Sequence, residues 1–318
     1  MSTNINILTE RGASRYPLFF ESINYLLSHF PLYKKTYLYI LNHFDQDYFS
    51  FAERICQLLL KKTGSKERYL HALDSLIKFS LEYLRLQNQL MRTGSYFNKD
   101  FSKVNESVYQ NQMMENYYLD ALFLSEIFWP NHYKMILFFK SFCTMIQNKE
   151  EGMEVPCGTG IFSYLLLNQY PHKKMDLFDI SAYSTNYTQQ LLKLSGLLSS
   201  DLKIETANIF DLKNRQYDFI ICGELIEHLE NPLQALIGLN HLLHPSGLVF
   251  LTTAIYTAAL DHLWLFNNVE EVRQMLAKAG FLIQSELVLP LSLDKSASLL
   301  EKEPLNYACV LMKNKNFR

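Results

Sequence analysis

The sequence predicts an α/β protein whose doubly wound, seven-stranded sheet has an antiparallel C-terminal edge and is preceded by an all-α domain. Three observations predict this fold class. Apolar residues recur at three-to-four spacing through most of residues 1–148. From Met153 onward, short apolar strands alternate with helices, which is typical of a parallel sheet covered on both faces. The last two strands have no helix between them long enough for a crossover, so they should pair antiparallel.

The N-terminal region reads as a series of helices separated by turns. The apolar periodicity predicts helices at Leu18–Phe30, Phe49–Leu60, Tyr69–Leu90, Leu119–Phe128 and Tyr133–Ile146. Pro31, Pro130 and two Thr-Gly-Ser turns lie between them, and Thr63 or Ser65 is expected to begin a helix. The polar stretch 147–152 is the expected junction between two domains, at residues 1–148 and 149–318.

The C-terminal region alternates strands with helices. Strands are predicted at Met153–Pro156, Met175–Phe178, Leu202–Thr206, Phe219–Cys222, Gly247–Thr253, Phe281–Val288 and Tyr307–Lys313. Helices are predicted at Ile161–Asn168, Ala182–Leu194, Pro232–Leu243 and Val269–Ala279. The carboxyl ends of the parallel strands should therefore form the edge at which a ligand binds.

Composition narrows the class of protein. The 318 residues are 48% hydrophobic, with 30 Lys plus Arg against 32 Asp plus Glu and no polybasic block, so nucleic acid and anionic membranes are not expected partners. Five cysteines without a C-x-x-C motif indicate neither a disulfide framework nor a zinc site. The first residues lack a signal-peptide pattern, and no apolar stretch is long enough to span a membrane. A cytoplasmic location is expected.

The run Glu154-Val-Pro-Cys-Gly-Thr-Gly160 is the most informative motif. It lies between a strand and a helix, where glycines let a ligand approach the bare backbone N–H groups of a helix N-terminus. The next strand ends in Asp179, at the position where doubly wound sheets hold a ribose diol. A dinucleotide fold would have a third glycine at Ser163, and Glu154 would repel a pyrophosphate, so an NAD-dependent oxidoreductase is disfavoured.

The turn resembles motif I of the class I S-adenosylmethionine-dependent methyltransferases, and the resemblance covers about residues 150–313. Glu154, Gly158 and Gly160 match the motif, whereas Pro156 replaces its first glycine and removes one backbone donor. The resemblance implies S-adenosylmethionine as cofactor. Its implied binding residues are Glu154, Pro156, Gly158, Gly160, Asp179, Ile180, Asn208, Ile209, Gly223 and Tyr117.

Individual roles follow from this resemblance. Glu154 would serve the methionyl amine, Asp179 the ribose, and Asn208 with Ile209 the adenine. Two alternatives from the residues alone stay open: Asp179 could cap the helix at Ala182, and Asn208 could stabilise a turn.

The segment after the fourth strand is Gly223-Glu-Leu-Ile-Glu-His228. It resembles the segment of many class I methyltransferases at which the transferred methyl group meets the acceptor. His228, His262 and Glu227 are the candidate catalytic residues. A second interpretation makes Glu224, Glu227, His228 and His262 ligands of a divalent metal, as in small-RNA 2′-O-methyltransferases. A third gives these side chains a structural role.

Several small-molecule methyltransferases use a helical N-terminal segment as a lid over the acceptor. By that analogy Tyr117, Tyr118 and His132 would contact the ligands, although ordinary helix packing explains these side chains equally well. The high aromatic content, 14%, fits either a packed core or an aromatic pocket for an organic substrate.

The sequence therefore favours a methyltransferase that modifies a small organic acceptor at oxygen, in secondary or specialised metabolism. A metal-assisted RNA 2′-O-methyltransferase is one alternative, disfavoured by the absence of basic runs. A non-catalytic binding protein with the same fold is another, motivated by Pro156. The expected partner is a small-molecule substrate, and a homodimer is compatible with the sequence.

Overall fold

The computed structural model describes residues 14–96, 98, 100–112, 117–213, 215–293 and 302–316. The helices that precede the sheet are α1 (Pro17–His29), α2 (Lys34–His43), α3 (Gln46–Thr63), α4 (Lys66–Thr93), α5 (Phe101–Val104), α6 (Leu119–Phe128) and α7 (Pro130–Met145). A π-helical turn, Asn105–Tyr109, follows α5. The sequence prediction missed α2, which buries only Tyr37 and Ile40 and so has a weak periodic pattern.

The strands are β1 (Glu151–Glu154), β2 (Lys174–Asp179), β3 (Leu202–Thr206), β4 (Tyr217–Cys222), β5 (Leu243–Ile255), β6 (Phe281–Pro290) and β7 (Leu305–Lys313). They form one sheet in the order β3-β2-β1-β4-β5-β7-β6. The first five strands are parallel, and β7 pairs antiparallel with both β5 and β6. The predicted seven-stranded sheet with an antiparallel C-terminal edge is therefore confirmed.

Four helices lie between consecutive strands of the sheet: α8 (Ile161–Gln169), α9 (Ala182–Leu194), α10 (Pro232–Leu242) and α11 (Val269–Lys278). Their predicted bounds differ from these by at most one residue at either end. In the helical region, Ser65 accepts a hydrogen bond from the Arg68 N–H and so begins α4, as the sequence indicated. The left-handed residues Gly64 and Gly94 end α3 and α4.

Helix α7 packs on the sheet rather than on the other N-terminal helices alone. Its Phe139 ring centroid lies 4.9 Å from that of Phe250 on β5 and 4.8 Å from that of Phe162 on α8. One continuous core therefore joins the helical region to this face of the sheet. The other face is covered by α10 and α11, with Leu236 and Leu276 buried against it. The predicted division at residue 148 stays a prediction, since α7 contributes to the sheet layer.

The helical region also lies over the carboxyl edge of the parallel strands, so the large cavity of the protein opens between the two. Across the described ranges, no helix has both the length and the apolar character needed to cross a bilayer.

The middle of the sheet predicts one stability change. A Cβ placed on Gly152 of β1 would lie 2.1 Å from the buried Phe219 ring, so Gly152→Ala should lower the free energy of unfolding by about 1–3 kcal/mol. Gly238→Ala is the matched control, because that glycine lies in α10 with no atom within 4 Å of an added Cβ. It should stabilise the protein by about 0.5–1 kcal/mol. Urea unfolding measures both changes, and equal stabilities would contradict this account of β1.

Candidate active site

The turn after β1 is shaped by two glycines in the left-handed region. Gly158 has a φ of +49° and Gly160 a φ of +76°, conformations that side chains rarely adopt. A Cβ on Gly160 would lie 2.9 Å from Thr188, whereas one on Gly158 would meet no atom within 4 Å. Gly158 therefore faces open space at the cavity, and its bare backbone can approach a ligand closely.

Asp179, at the end of β2, holds this turn in place. One carboxylate oxygen accepts a hydrogen bond from the Gly158 N–H at 2.9 Å, and the other accepts from the Ser181 N–H at 2.9 Å. Burial raises the pKa of the Asp179 carboxyl to about 6, although these backbone donors oppose the shift. Asp179 does not cap α9, because Ser181 is the residue at that cap position. The carboxylate lines the cavity.

Glu154 lies at the end of β1 and is 1% exposed. Ser163, where a dinucleotide site would have its third glycine, donates a hydrogen bond to the Glu154 carboxylate. Burial raises the pKa of Glu154 to about 8. Because Glu154 and Asp179 both line the cavity, this end of it is acidic.

The remaining predicted cofactor residues from the sheet also line the cavity: Pro156, Ile180, Asn208, Ile209 and Gly223. The Asn208 carbonyl oxygen accepts from the Phe210 N–H at 3.1 Å, so this side chain does stabilise a turn. That oxygen has a second lone pair, which leaves the predicted adenine contact chemically open. An added Cβ on Gly223 would lie 2.7 Å from the Phe162 ring, so glycine is needed there for packing.

The cavity has a volume of about 920 Å³ and a largely apolar, aromatic wall. Its size lies within the range of about 300–1,000 Å³ that small-molecule sites occupy. Helices α4 to α7 and the residues that border them supply much of the wall, including Phe79, Tyr83, Tyr118, Trp129 and Met135. Among the described residues that line it, none is Lys or Arg, whereas Glu126, Glu154, Asp179, Glu224, Glu230 and Asp261 are all acidic.

The predicted histidines meet at this cavity. The ring centroids of His228 and His262 are 4.8 Å apart with the planes nearly perpendicular. His262 Nδ1 lies 2.7 Å from the Thr257 carbonyl oxygen, which can only accept, so Nδ1 carries the proton and Nε2 is free. Burial lowers the pKa of His262 to about 4, and His228 adds to this effect. His262 is therefore neutral at pH 7.

Asp261 acts on His228 rather than on its neighbour His262. Its carboxylate lies 3.4 Å from His228 Nδ1, and its backbone carbonyl lies 3.1 Å from the same nitrogen. Tyr118 and Tyr109 of the helical region both donate hydroxyl hydrogen bonds to this carboxylate, at 2.9 Å and 3.3 Å. The helical region thus fixes the acid that orients His228.

Glu227 and Glu224 differ in their surroundings. Glu227 is fully buried, does not line the cavity, and accepts from the Thr253 hydroxyl at 2.7 Å and the Ala254 N–H at 3.0 Å. Glu224 does line the cavity, and its Oε1 is buried without a hydrogen-bond partner. Burial raises the pKa of both carboxyls. Glu227 therefore ties the segment after β4 to β5 through its hydrogen bonds, whereas Glu224 faces the cavity.

Part of the predicted metal set converges. Glu227, His228 and His262 each have a ligand atom within 4.8 Å of the others, whereas Glu224 is not in this group. The free Nε2 of His262 suits a metal, but both Glu227 oxygens already accept hydrogen bonds. The described residues thus bring together three of the four predicted metal ligands, but the Glu227 carboxylate is already hydrogen-bonded.

Of the predicted lid residues, Tyr118 and His132 line the cavity and Tyr117 does not. The Tyr117 hydroxyl donates to Glu82 at 2.6 Å, and its cofactor contact stays a prediction. Sequence reasoning missed Tyr109, Glu126 and Asn131, which all line the cavity. Glu126 carried a signal that could have been used, namely a carboxylate within an otherwise apolar helical stretch.

Comparison with known proteins agrees with this geometry. Residues 153–249 match the family described as a methyltransferase domain. The chain is 27% identical over 105 residues to the malonyl-(acyl-carrier protein) O-methyltransferase of Paenibacillus sp. (strain JDR-2), covering 32% of this chain and 37% of that protein. It is 27% identical over 106 residues to the ubiquinone biosynthesis O-methyltransferase of Rickettsia bellii (strain OSU 85-389), covering 32% and 41%. The chain thus spans about two fifths of the length of these curated relatives.

Among solved structures, that of the mitomycin 7-O-methyltransferase MmcR is similar with a TM-score of 0.51. The match covers 74% of this chain and 68% of that chain at 10% sequence identity. At this identity the similarity is one of fold, and it extends beyond the sheet into the helical region.

The protonation state of the His262 imidazole can be tested directly. Its pKa of about 4 predicts that its imidazole resonances stay those of the neutral Nδ1–H form from pH 8 down to about 5, measured by ¹⁵N-edited NMR with His262→Gln for assignment. Because an unfolded histidine titrates at about 6.5, folding stability should fall as the pH drops from 6.5 towards 4, and His262→Gln should reduce that slope. A His262 that titrates near 6.5 would contradict the buried, neutral assignment.

Proposed function

We propose that this chain, whose C-terminal part is a class I S-adenosylmethionine-dependent methyltransferase domain, transfers a methyl group from S-adenosylmethionine to the oxygen of a small organic acceptor. The observation that carries the proposal is the arrangement of one cavity. The glycine turn and Asp179 lie at the carboxyl edge of the sheet, and the histidine pair faces the same space beneath the aromatic helices.

The residues present fit the cofactor. Gly158 offers open backbone, Asp179 retains lone pairs for the ribose hydroxyls, and Glu154 supplies an acid for the cationic amino-acid end. Ile209 offers an apolar surface to the adenine, and Asn208 keeps an amide for its edge. Pro156 removes one backbone donor from the turn, and the N–H groups of Gly158 and Ser181 donate to Asp179. The proposed cofactor contacts therefore rest on the open Gly158 backbone and on the acids rather than on these N–H groups.

The bound cofactor supplies an activated methyl group on a sulfonium. His228 is the proposed base, since Asp261 orients it through Nδ1 and would stabilise the imidazolium that forms. With the cofactor bound, the acceptor hydroxyl would give its proton to His228 while its oxygen took the methyl group, and S-adenosylhomocysteine would be the leaving group. His262, held neutral by burial, positions the acceptor hydroxyl. Alignment of acceptor and methyl in the cavity supplies much of the rate.

The choice of oxygen and of a small acceptor has separate support. Two curated relatives are named as O-methyltransferases, although their acceptors differ from each other. The aromatic wall suits an organic molecule. An RNA acceptor would need basic groups around the cavity, and none of its described lining residues is Lys or Arg.

A metal-assisted variant of the reaction is the second candidate, favoured by the convergence of Glu227, His228 and His262. A divalent ion held by these groups would polarise the acceptor oxygen. Against it, both Glu227 oxygens are engaged by Thr253 and Ala254. The base mechanism needs no such displacement.

Two substitutions should separate binding from turnover. Asp179→Asn removes a charged partner of the ribose and should weaken S-adenosylhomocysteine binding by about 10-fold to 100-fold in calorimetry. His228→Ala should leave that affinity within about twofold but lower kcat by about 10²-fold to 10⁴-fold, measured as S-adenosylhomocysteine release over a panel of phenols and amino alcohols. Asp201→Asn, exposed just before β3, is the control. Equal effects of the first two variants on both measurements would contradict the assignment.

Chelation distinguishes the two mechanisms. With the base mechanism, excess EDTA should leave kcat unchanged, and added Mg²⁺, Mn²⁺ or Zn²⁺ should not raise it. A loss of activity that one of these ions restores would favour the metal-assisted candidate.

A further inference from the structure

The cavity has a second polar cluster, remote in sequence from the glycine turn. Glu126 lies near the end of α6, Asn131 and His132 lie in the first turn of α7, and Glu224 follows β4. All four line the cavity. None of them has a role in the reaction proposed above.

Asn131 provides the first observation that points to a ligand. The residue is 4% exposed, and its Nδ2 donates to the Pro290 carbonyl at 3.0 Å and to Asn306 Oδ1 at 3.3 Å. Since the Pro290 carbonyl can only accept, the orientation of the amide is fixed. The amide oxygen is left buried without a donor. Such an unpaired acceptor costs about 1–3 kcal/mol unless a donor is supplied.

The two carboxylates provide the second observation. Glu224 Oε1 is also buried without a donor. Burial raises the pKa of Glu126 to about 8, and the nearby negative charge of Glu224 adds to that shift. The two carboxyl groups are therefore close enough to interact electrostatically. No Lys or Arg of the described lining neutralises their charge.

His132 does not supply the missing charge. Ser125 gives its hydroxyl proton to the Leu122 carbonyl at 2.7 Å, so His132 Nδ1 donates to the Ser125 oxygen at 3.0 Å. Nε2 is then an acceptor. Burial lowers the pKa of His132 to about 4, which leaves it neutral. This part of the cavity thus offers acceptor atoms, and a cation bound beside the two carboxyls would lower their pKa values and keep them charged.

We propose that Glu126, Asn131 and Glu224 form a subsite that binds a cationic nitrogen of the acceptor, an organic ammonium whose N–H groups satisfy these oxygens. The inference rests on the proposed function, because it concerns the acceptor of that reaction. An acceptor with a free carboxylate is disfavoured, because it would lie beside two carboxyl groups where the described lining offers no Lys or Arg. Trp129 and Phe79, which stack with ring centroids 5.4 Å apart, add aromatic surface to the same wall.

A metal ion does not fit this cluster. The described residues contain a group of converging metal ligands at Glu227, His228 and His262, and Glu126, His132 and Glu224 are not part of it. An organic ammonium can bridge oxygens that are further apart than the coordination sphere of a metal allows.

The test uses the full chain with S-adenosylhomocysteine bound. Amines of increasing size, such as benzylamine, tyramine and 3-methoxytyramine, are each paired with a neutral and a carboxylate analogue, for tyramine 4-ethylphenol and 3-(4-hydroxyphenyl)propionate. Titration calorimetry should give amines that bind at least tenfold more tightly than their neutral analogues, and carboxylates that do not bind. Glu126→Gln should lower the amine affinity at least tenfold, whereas Glu67→Gln, on the exposed surface of α4, should not change it.

The outcomes separate this inference from the proposed function. If S-adenosylhomocysteine binds but no amine in the series binds more tightly than its analogues, the ammonium subsite is wrong and the methyltransferase proposal stands. If Glu126→Gln weakens S-adenosylhomocysteine itself by tenfold or more, the subsite serves the cofactor amine and the inference is overturned. Failure of the unmodified chain to bind S-adenosylhomocysteine would overturn both.

Discussion

The carboxylate of Asp179 is the interaction on which the arrangement of the site depends. It joins the end of β2 to the glycine turn after β1 through the Gly158 N–H, and to the start of α9 through the Ser181 N–H. Ser181 in turn donates its hydroxyl to the Tyr109 carbonyl in the helical region, at 2.9 Å. One buried acid therefore links the ends of two strands to the segment that covers them, and its backbone donors offset part of its cost of desolvation.

A second constraint is the sign of the charge in the cavity. Acidic side chains surround a space lined by aromatic rings, and burial raises the pKa of Glu126, Glu154 and Asp179. A protein selected for stability alone would not concentrate uncompensated acids in this way. The arrangement instead favours occupants that carry positive charge, and a sulfonium with an amino-acid tail is one of them. The same field disfavours polyanions.

The sheet, its antiparallel edge and the glycine turn could be predicted because they depend on local periodicity and on short motifs. The contacts that complete the site could not, because they join residues far apart in sequence. The Tyr109 hydroxyl reaches Asp261 across 152 positions, and no pattern near either residue indicates it. The choice between Tyr117 and Tyr118 illustrates the limit in another way. Neighbours in a helical segment point about 100° apart, so the sequence alone does not decide which one faces the cavity.

The position of α7 has a consequence for how this protein could be recombined with others. Phe139 and Phe142 of that helix lie against Phe250 of β5, so the helix belongs to the hydrophobic layer of the sheet although it precedes β1. A chimera assembled at residue 148 would give the sheet a foreign helix and a mismatched aromatic layer. A crossover at Trp129, between α6 and α7, would keep that layer intact while exchanging the other covering helices. Part of the cavity wall could then be exchanged without rebuilding the hydrophobic layer of the sheet.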